Sequence, residues 1–471
     1  MHTSTRVVAG QLPVCRTIRG PGSAVNSASK NSSRRASKHE VKAATLTDLS
    51  SDRTELRSFT DCASEDTLQH PSQLPDDRQL LQGCESVRAP LNVAVLLSGG
   101  VDSSFALHLL KRAGHNVQAF YLQIWFQEDF RNYWDSCPWE EDLSYCQQVC
   151  EDAGVELHVV PLTDEYWDRV VAHSIAEIKA GRTPNPDILC NSRVKFGAFY
   201  EYLAGHQAHK FDRIASGHYA RIIRGDEPDE RVRLALAPDA VKDQTYFLAH
   251  LTQAQLSRAM FPLGSLNKVE VRALAKAAGL PNQARRDSQG ICFLGKVKFS
   301  EFVEQHLGVW PGCIIEEETG EVLGYHQGFW FHTLGQRRGI PLHGGPWYVT
   351  QKDVHTNTVF VSRNYYSVDK ERNLFTCESV NWVTRPPDLA SQVLCKVRHG
   401  PVLYKCDVSF TNANQSAVAV RLECNDQGLA SGQFAVFYQD KICLGSGVIQ
   451  TTGVSHTEIG SWHDDQTKAV L

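Results

Sequence analysis

The stretch that decides the fold reads LNVAVLLSGGVDSS and occupies residues 91–104. Its first half is an apolar run typical of a buried parallel strand, and its second half is a short loop of small residues. The next segment, FALHLLKRAGH (105–115), has the apolar spacing of a helix and closes with Gly114. A strand, a small-residue loop and a helix in this order are typical of an α/β sheet that binds its ligand at the loop.

The alternation of strands and helices continues beyond this unit. NVQAFYLQIW (116–125) predicts a second strand, a helix follows around Leu143–Ala153, and VELHVVPL (155–162) predicts a third strand. Alternating elements of this kind favour a doubly wound parallel sheet, which we expect to form a domain over residues 91–300.

The remainder of the chain has a different pattern. Residues 301–375 contain hairpin signals in EEETGEVLGY (316–325) and HGGPWYV (343–349), which indicate a small central β-rich domain. From residue 376 onward, short alternating strands predict a C-terminal antiparallel β-barrel with a tail, ending at residue 471. The predicted barrel strands are KVRHG (396–400), YKCDVSF (404–410), SAVAVRLE (416–423), GQFAVFYQD (432–440) and KICLGSGVI (441–449).

Composition narrows the class of protein. A chain of 471 residues with 42% apolar and 21% charged residues has room for two or three domains, and it contains no apolar run of membrane-spanning length. The net charge of −5 means that a nucleic-acid partner would need a local basic groove. The 14 cysteines are scattered and form no CxxC pair, which favours reduced thiols over a disulfide scaffold or a closely spaced zinc or iron–sulfur site.

The amino-terminal segment differs from the rest. Residues 1–39 contain seven Lys or Arg residues, seven serines and no acidic residue, a composition typical of an organelle presequence. We expect a mitochondrial destination, with the chloroplast as the alternative, and a merely disordered tail is also consistent with this composition. Residues 40–90 have mixed charge and little apolar periodicity, which predicts a linker.

The loop after the first strand has the chemistry of a phosphate site. Gly99 and Gly100 let backbone N–H groups approach an anion, and the following helix directs its positive end to the same place. The loop lacks the lysine of a Walker motif and does not match GxGxxG. Asp102 would repel phosphates unless a cation intervenes, so Mg²⁺ is implied. An ordinary Gly-Gly turn is the alternative.

A second motif, GRTPNPDILCNSRVKFGAFYEYL (181–203), places a cysteine in a distinctive setting. Two prolines favour an extended start and helical spacing follows, so Cys190 is predicted near a helix amino terminus. Arg193 and Lys195 are close in sequence, and this setting favours a thiolate. Asp187 lies three residues before the cysteine and is predicted to reach the same pocket. A buried structural cysteine is equally consistent with this stretch by itself.

Three further segments are ASGHYA (215–220), KDQTYFL (242–248) and RRDSQGICFLG (285–295), the last of which carries Cys292 in a glycine-flanked loop. The SGGVDSS loop resembles the PP-loop of the ATP pyrophosphatase superfamily, which also includes amidotransferase-coupled synthetases, argininosuccinate synthases and lysidine synthases. All five motifs in this order resemble the tRNA-specific 2-thiouridylases of bacteria and organelles, over residues 91–455.

This resemblance implies an ATP-dependent 2-thiolation of the wobble uridine of tRNA. The uracil O2 would be adenylated with MgATP, and sulfur would then come from a persulfide on Cys292. A sulfur carrier or a cysteine desulfurase would donate that persulfide. Cys190 would be the catalytic cysteine and Asp187 the acid–base group, with a transient Cys190–Cys292 disulfide. Direct attack by the persulfide and attack by released hydrosulfide both remain open.

The resemblance also implies sets of binding residues. Those for ATP are Leu96, Leu97, Ser98, Gly99, Gly100, Val101, Asp102, Ser103, Leu122 and Gly217. Those for tRNA are Asn185, Pro186, Asp187, His218, Lys242, Asp243, Gln244, Arg398, His399 and Gln433. A structural role for His218 and a solvated surface position for Lys242 are the alternatives. In addition, the turn HTLGQRRGI (332–340) predicts phosphate contacts by Arg337 and Arg338.

Two other classes of protein share part of this pattern. A synthetase of small metabolites would use the same loop but would need neither cysteine. A non-catalytic RNA-binding module could use the barrel, but it would have no use for a PP-loop.

Overall fold

The computed structural model describes residues 75–85, 89–124, 138–206, 210–225, 231–287, 298–366, 372–426 and 428–452. The predicted presequence and Cys292 therefore lie outside the described residues. Within the described ranges, no helix combines the length and the apolar content needed to cross a membrane.

Seven strands occur among the described residues before 298, and five of them form one parallel sheet. The strands are β1 (Asn92–Leu97), β2 (Asn116–Gln123), β3 (Leu157–Pro161), β4 (Arg213–Ala215), β5 (Arg221–Ile223), β6 (Arg233–Ala235) and β7 (Ala259–Met260). The order across the parallel sheet is β3-β2-β1-β4-β7, so the winding reverses beside β1. The predicted doubly wound fold is confirmed, and the loop that leaves β1 lies at the switch point, where such sheets bind ligands.

Helices cover the sheet and connect its strands. They are α1 (Asp77–Leu80), α2 (Val101–Arg112), α3 (Pro138–Ala153), α4 (Thr163–Tyr166), α5 (Ala172–Lys179), α6 (Pro186–Leu189), α7 (Phe199–His206), α8 (Thr245–Leu248), α9 (Gln253–Arg258), α10 (Lys268–Ala277) and α11 (Phe299–Leu307). π-Helical segments join α4 to α5 (Trp167–Val171) and α6 to α7 (Cys190–Ala198), and short 3₁₀ turns occupy Gln82–Cys84 and Phe329–Phe331.

The central domain is a four-stranded sheet in the order β10-β11-β8-β9. Its strands are β8 (Gly312–Glu316), β9 (Val322–His326), β10 (Tyr348–Asp353) and β11 (Thr358–Ser362). The first predicted hairpin is correct, because β8 pairs antiparallel with β9. The second is wrong, since residues 343–347 only lead into β10. The turn lies at 354–357, where Asp353 accepts a hydrogen bond from the N–H of His355 (2.9 Å).

The C-terminal strands close into the predicted antiparallel barrel. They are β12 (Leu374–Asn381), β13 (Val393–Lys396), β14 (Tyr404–Phe410), β15 (Val418–Leu422), β16 (Phe434–Gln439) and β17 (Ile442–Thr452). Pairing of β12 with both β15 and β17 completes the closure. The predicted strand at 396–400 is wrong, because β13 ends at Lys396 and Arg398 and His399 lie in the following turn. Strands β5 and β6 extend the barrel sheet from β17, which the sequence pattern did not predict.

The three domains share apolar packing. One core cluster runs from the parallel sheet through the central domain to the barrel and includes Phe120, Phe199, Val349 and Phe434. A second cluster covers the other face of the sheet, under α2, α3 and α10. The domains are thus held in fixed relation, so clefts between them have defined walls.

Among the described cysteines, the predicted thiol state is found at all positions except Cys424. In the described part of the chain, thiols are present at Cys84, Cys146, Cys150, Cys190, Cys313, Cys377, Cys395, Cys406 and Cys443. Cys424 is disulfide-bonded, contrary to the prediction.

Candidate active site

The loop after β1 is held in shape from several sides. Gly99 adopts a φ of +70°, which favours glycine, and the extended Gly100 precedes the first residue of α2. Asn282 donates hydrogen bonds of 2.8 Å to both the Gly99 carbonyl and the Ser104 hydroxyl. Ser104 in turn donates to the Gly100 carbonyl (3.0 Å). The backbone N–H groups that begin α2 are therefore fixed at the cleft, as an anion site requires.

A cleft of about 420 Å³ opens at this loop, and we refer to it as the loop cleft. It is lined by most of the residues predicted to bind ATP, namely Leu96, Leu97, Ser98, Gly100, Val101, Asp102, Ser103, Leu122 and Gly217. Cys190, His218, Lys242 and Gln244 line the same cleft. Arg286 and Asp287 of the RRDSQGICFLG segment also line it, so all five motifs of the sequence meet in one place.

Gly217 is needed because two backbones come together. A Cβ at this position would lie 2.7 Å from the carbonyl carbon of Asp102 and 2.8 Å from the nitrogen of Ser103. Any side chain there would push the loop after β4 away from the start of α2. The glycine of the SGHYA segment therefore brings the two loops into contact.

Asp102 already has a cation in this structure. Its two carboxylate oxygens each lie 2.7 Å from the Lys268 ammonium, and the Tyr219 hydroxyl donates to it at 2.8 Å. The sequence implied an indirect role for Asp102 in holding Mg²⁺, through MgATP, and that role stays a prediction; in this structure the cation beside the carboxylate is Lys268. Lys268 was not predicted as a site residue, because it lies in SLNKVE (265–270), a stretch with no recognisable motif.

Asp287 gathers further positive charge beside this pair. It lies 2.9 Å from Lys268 and 3.0 Å from Lys242, and it also pairs with Arg272. Burial by itself raises its pKa, but hydrogen bonds and charge from these three cations hold the pKa of Asp287 well below its usual range. Lys242, predicted to contact tRNA, is thus placed on the wall of the loop cleft.

His218 is a buried residue that lines the same cleft. Its side chain shares a 2.7 Å hydrogen bond with Ser216. Burial, and after it the charge of Lys195, places the pKa of His218 well below its usual value, so the imidazole is neutral. This position favours the structural interpretation of His218 over a contact on the tRNA-facing surface.

Cys190 lies one turn inside its helix. Asn185 caps the helix by accepting a hydrogen bond from the N–H of Ile188 (3.2 Å), and Pro186 is the first helical residue. Cys190 therefore begins the π-helical continuation, with 1% of its surface exposed. Lys195 lines the loop cleft with Cys190, whereas Arg193 turns away and donates to the Arg169 carbonyl (3.0 Å).

The TPNPD segment opens onto a neighbouring cleft. This second cleft, of about 360 Å³, contains Asn185, Pro186, Asp187 and the barrel residue Gln433. Gln433 accepts a hydrogen bond from Asn185 (3.2 Å) and donates to the Pro184 carbonyl (3.1 Å), which holds the segment against the barrel. Asp187 and Cys190, predicted to share a pocket, thus line adjacent clefts.

Asp243 has a structural role instead of the predicted tRNA contact. It is 2% exposed, and it accepts hydrogen bonds from the Ala237 N–H (2.8 Å) and the Thr245 hydroxyl (2.6 Å). The equally buried Lys396 of the barrel lies 3.5 Å away. Nearly all of Asp243 therefore contacts other parts of the protein, and its side chain links the loop at 242–244 to the barrel.

The remaining predicted tRNA residues lie nearer to the surface. His399 stacks on Phe247 with 4.6 Å between ring centres and contacts the Asp243 carbonyl at 3.2 Å. Arg398 pairs with Asp426, although half of its side chain is exposed. Arg337 and Arg338 are exposed on the predicted turn.

Three protein-family models match the chain in succession. They are described as a tRNA methyl transferase HUP domain over residues 91–296, a tRNA methyl transferase PRC-barrel domain over 300–363, and an aminomethyltransferase beta-barrel domain over 372–449. A tRNA-specific 2-thiouridylase MnmA from Parabacteroides distasonis is 43% identical over 369 residues, which is 76% of this chain and 99% of that protein. The chain belongs to the tRNA-specific 2-thiouridylase family.

Other relatives agree with this assignment. A tRNA-specific 2-thiouridylase MnmA 1 from Bacteroides thetaiotaomicron is 43% identical over 365 residues, covering 76% of this chain and 99% of that protein. The 2-thiouridylase family consists of tRNA sulfurtransferases, so the predicted enzyme class is confirmed. Among solved structures, the U34-tRNA thiolase NcsA from Methanococcus maripaludis has a TM-score of 0.31 and 18% identity, covering 49% of this chain and 69% of that one. That likeness is too weak to bear on function.

Proposed function

We propose that this protein uses ATP to replace the C2 oxygen of the wobble uridine of tRNA with sulfur. The observation that carries the proposal is that one cleft contains both the phosphate-binding loop and the Cys190 side chain. A nucleotide activated at the loop would therefore lie beside a thiol. Membership of the 2-thiouridylase family supports tRNA as the substrate.

In the first step, the phosphates of ATP bind the loop at 98–102 and the start of α2. The uracil O2 attacks the α-phosphorus, pyrophosphate leaves, and the base carries AMP on O2. Lys242 lines the cleft and Lys268 pairs with Asp102 of its wall, and the charge of both would stabilise the leaving pyrophosphate. Mg²⁺ enters as part of the MgATP substrate.

In the second step, sulfur comes from a persulfide on Cys292, loaded by a sulfur carrier or a cysteine desulfurase. Either the terminal sulfur attacks C2 and Cys190 then attacks the Cys292 sulfur, or Cys190 attacks first and the released hydrosulfide attacks C2. AMP leaves in both routes. Both end with a Cys190–Cys292 disulfide, which an external thiol must reduce before the next turnover. Asp187 is the acid–base group of this scheme.

The tRNA would contact the exposed arginines of two domains. Arg337 and Arg338 lie on a turn of the central domain, and Arg398 lies on the barrel. Because the total charge is −5, these local cations would provide the attraction to phosphate. Asn185, Gln433, Gln244 and His399 complete the proposed contact set closer to the clefts.

The direct test is reconstitution with defined products. We expect purified protein, MgATP, a persulfide donor and unmodified tRNA to yield 2-thiouridine at position 34, measured by mass spectrometry of the digested nucleosides. One AMP and one pyrophosphate should appear for each sulfur incorporated. A tRNA with cytidine at position 34 is the control. Formation of ADP and phosphate, or of no thiolated nucleoside, would contradict the proposal.

We also propose that residues 1–39 direct the protein to the mitochondrion, with the chloroplast as the alternative. Their basic, acid-free composition supports this, and the family models begin only at residue 91. A fluorescent reporter fused to residues 1–39 should be imported, whereas the same fusion with Arg34 and Arg35 changed to glutamate should be imported less. A cytosolic distribution of the unaltered fusion would exclude both organelles.

A further inference from the structure

The second cleft lies where the three domains meet, and we call it the three-domain cleft. The catalytic domain contributes Asn185 and Asp187, and the barrel contributes Gln433. The central domain contributes Trp330 and Lys352. The family scheme accounts for the residues of the first two domains, but it assigns nothing to the wall formed by the central domain.

Lys352 is the unusual group on that wall. It lies on β10, is half-buried, and lines the cleft. Among the residues that the structure describes, its ammonium makes no ion pair and no hydrogen bond. Burial lowers the pKa of Lys352 to about 8, so the side chain is still mainly protonated at neutral pH. Removing an ammonium from water without a partner is costly, which indicates that its partner is a ligand.

The surroundings of Lys352 define what that ligand must offer. His332 lies nearby, and burial, followed by the charges of His326 and Lys352, lowers the pKa of His332 to about 4. The Nδ1 atom of His332 is buried without a hydrogen-bond partner. Trp330 and Phe299 add aromatic surface of the kind on which an unstacked base packs. The cleft therefore suits a planar polar ring that presents an acceptor to Lys352.

A protonated lysine has three donors and no acceptor, so it distinguishes the two pyrimidines. Uracil presents a carbonyl oxygen at position 4, whereas cytosine presents an amino group that donates. We propose that Lys352 donates a hydrogen bond to O4 of the target uracil in the three-domain cleft and is a specificity-determining residue for uracil over cytosine. This inference rests on the proposed function and deepens it.

The chemistry of the ring agrees with this placement. In uracil, the C2 and C4 carbonyls flank N3, so O2 and O4 point in different directions. A base that is held through O4 therefore keeps its O2 on the side away from Lys352. The wall formed by the catalytic domain carries Asp187 and the start of the helix that leads to Cys190. Holding O4 at the central domain thus leaves O2, the reacting atom, available to the catalytic domain and the barrel.

The test pairs a protein change with a single-atom change in the base. Wild type and Lys352→Met are compared on tRNA carrying uridine or 4-thiouridine at position 34, because sulfur at position 4 is a weaker acceptor. We expect kcat/KM of the wild type to fall about 10-fold with 4-thiouridine and that of Lys352→Met to fall about 10- to 100-fold with uridine. The variant should lose nothing further with 4-thiouridine, since the hydrogen bond is already absent.

Two controls separate the possible causes. Lys405→Met removes an exposed barrel lysine that pairs with Glu423, and it should leave the ratio of uridine to 4-thiouridine unchanged. Lys352→Arg retains donors and should keep more activity than Lys352→Met, which separates a specific loss from misfolding. If the loss caused by Lys352→Met and the loss caused by 4-thiouridine multiply, Lys352 does not contact O4. A contact between Lys352 and a backbone phosphate would give that result. If the wild type thiolates no uridine, the proposed function itself fails.

Discussion

Replacing Cys190 with alanine is expected to abolish 2-thiolation of tRNA, with a fall in rate of at least about 1,000-fold, the scale seen when a nucleophile is removed. The release of pyrophosphate that depends on tRNA should continue, because the phosphate-binding loop is intact and the cysteine serves only the sulfur step. Slow discharge of the adenylated base by water would keep ATP turning over. Cys292→Ala should show the same separation of the two steps.

The measurement follows pyrophosphate release and 2-thiouridine in the same reaction. Cys150→Ala is the matched control, because Cys150 is a buried thiol of the same domain, 3% exposed on α3, and does not line the loop cleft. It should keep both activities, apart from a modest loss of stability. If Cys190→Ala thiolates tRNA within about 10-fold of the wild-type rate, the two-cysteine scheme is wrong.

Replacing Lys268 with methionine is expected to have the opposite signature, with pyrophosphate release and thiolation falling together by about 100-fold or more. Lys268 joins Asp102 to Asp287, and its loss leaves two carboxylates facing the polyphosphate. Lys242 and Arg272 still lower the pKa of Asp287 when Lys268 is absent, so this carboxylate stays ionised and the repulsion persists. Adding Asp102→Asn to Lys268→Met should therefore recover part of the activity.

The single-turnover rate of pyrophosphate release and the affinity for ATP are the readouts. Lys276→Met is the control, because Lys276 lies on the same helix, α10, with its side chain exposed to solvent. That variant should match the wild type. Unchanged ATP turnover in Lys268→Met would mean that the ion pair is only structural. A double variant weaker than either single variant would show that Asp102 itself is needed in the charged form.

Local pattern was sufficient for much of the fold and for part of the site. The strand at 92–97 and the turn at Gly99 were predictable, because periodicity and the need for glycine at positive φ act over a few residues. The helix was also predicted, but it begins at Val101, four residues before the predicted start. Four of the six barrel strands, β14 to β17, were found in the same way, from their alternation. The second hairpin of the central domain was placed wrongly at 343–349, because its actual turn at 354–357 contains no glycine and is stabilised by the Asp353 side chain.

Pairings between distant segments left no such local signal. Lys268 meets Asp102 across 166 positions, and Asp243 is buried against Lys396 across 153, so neither role could be inferred from neighbouring residues. The sequence motifs predicted that Asp187 and Cys190 share a pocket, but the two side chains line different clefts of the folded protein. The amino-acid pattern alone thus predicted most of the strands, the phosphate loop and the resemblance to the family. Which charge neutralises Asp102, and which residues share a cleft, were decided only by packing, because a charge pair forms where the folded elements bring two side chains together.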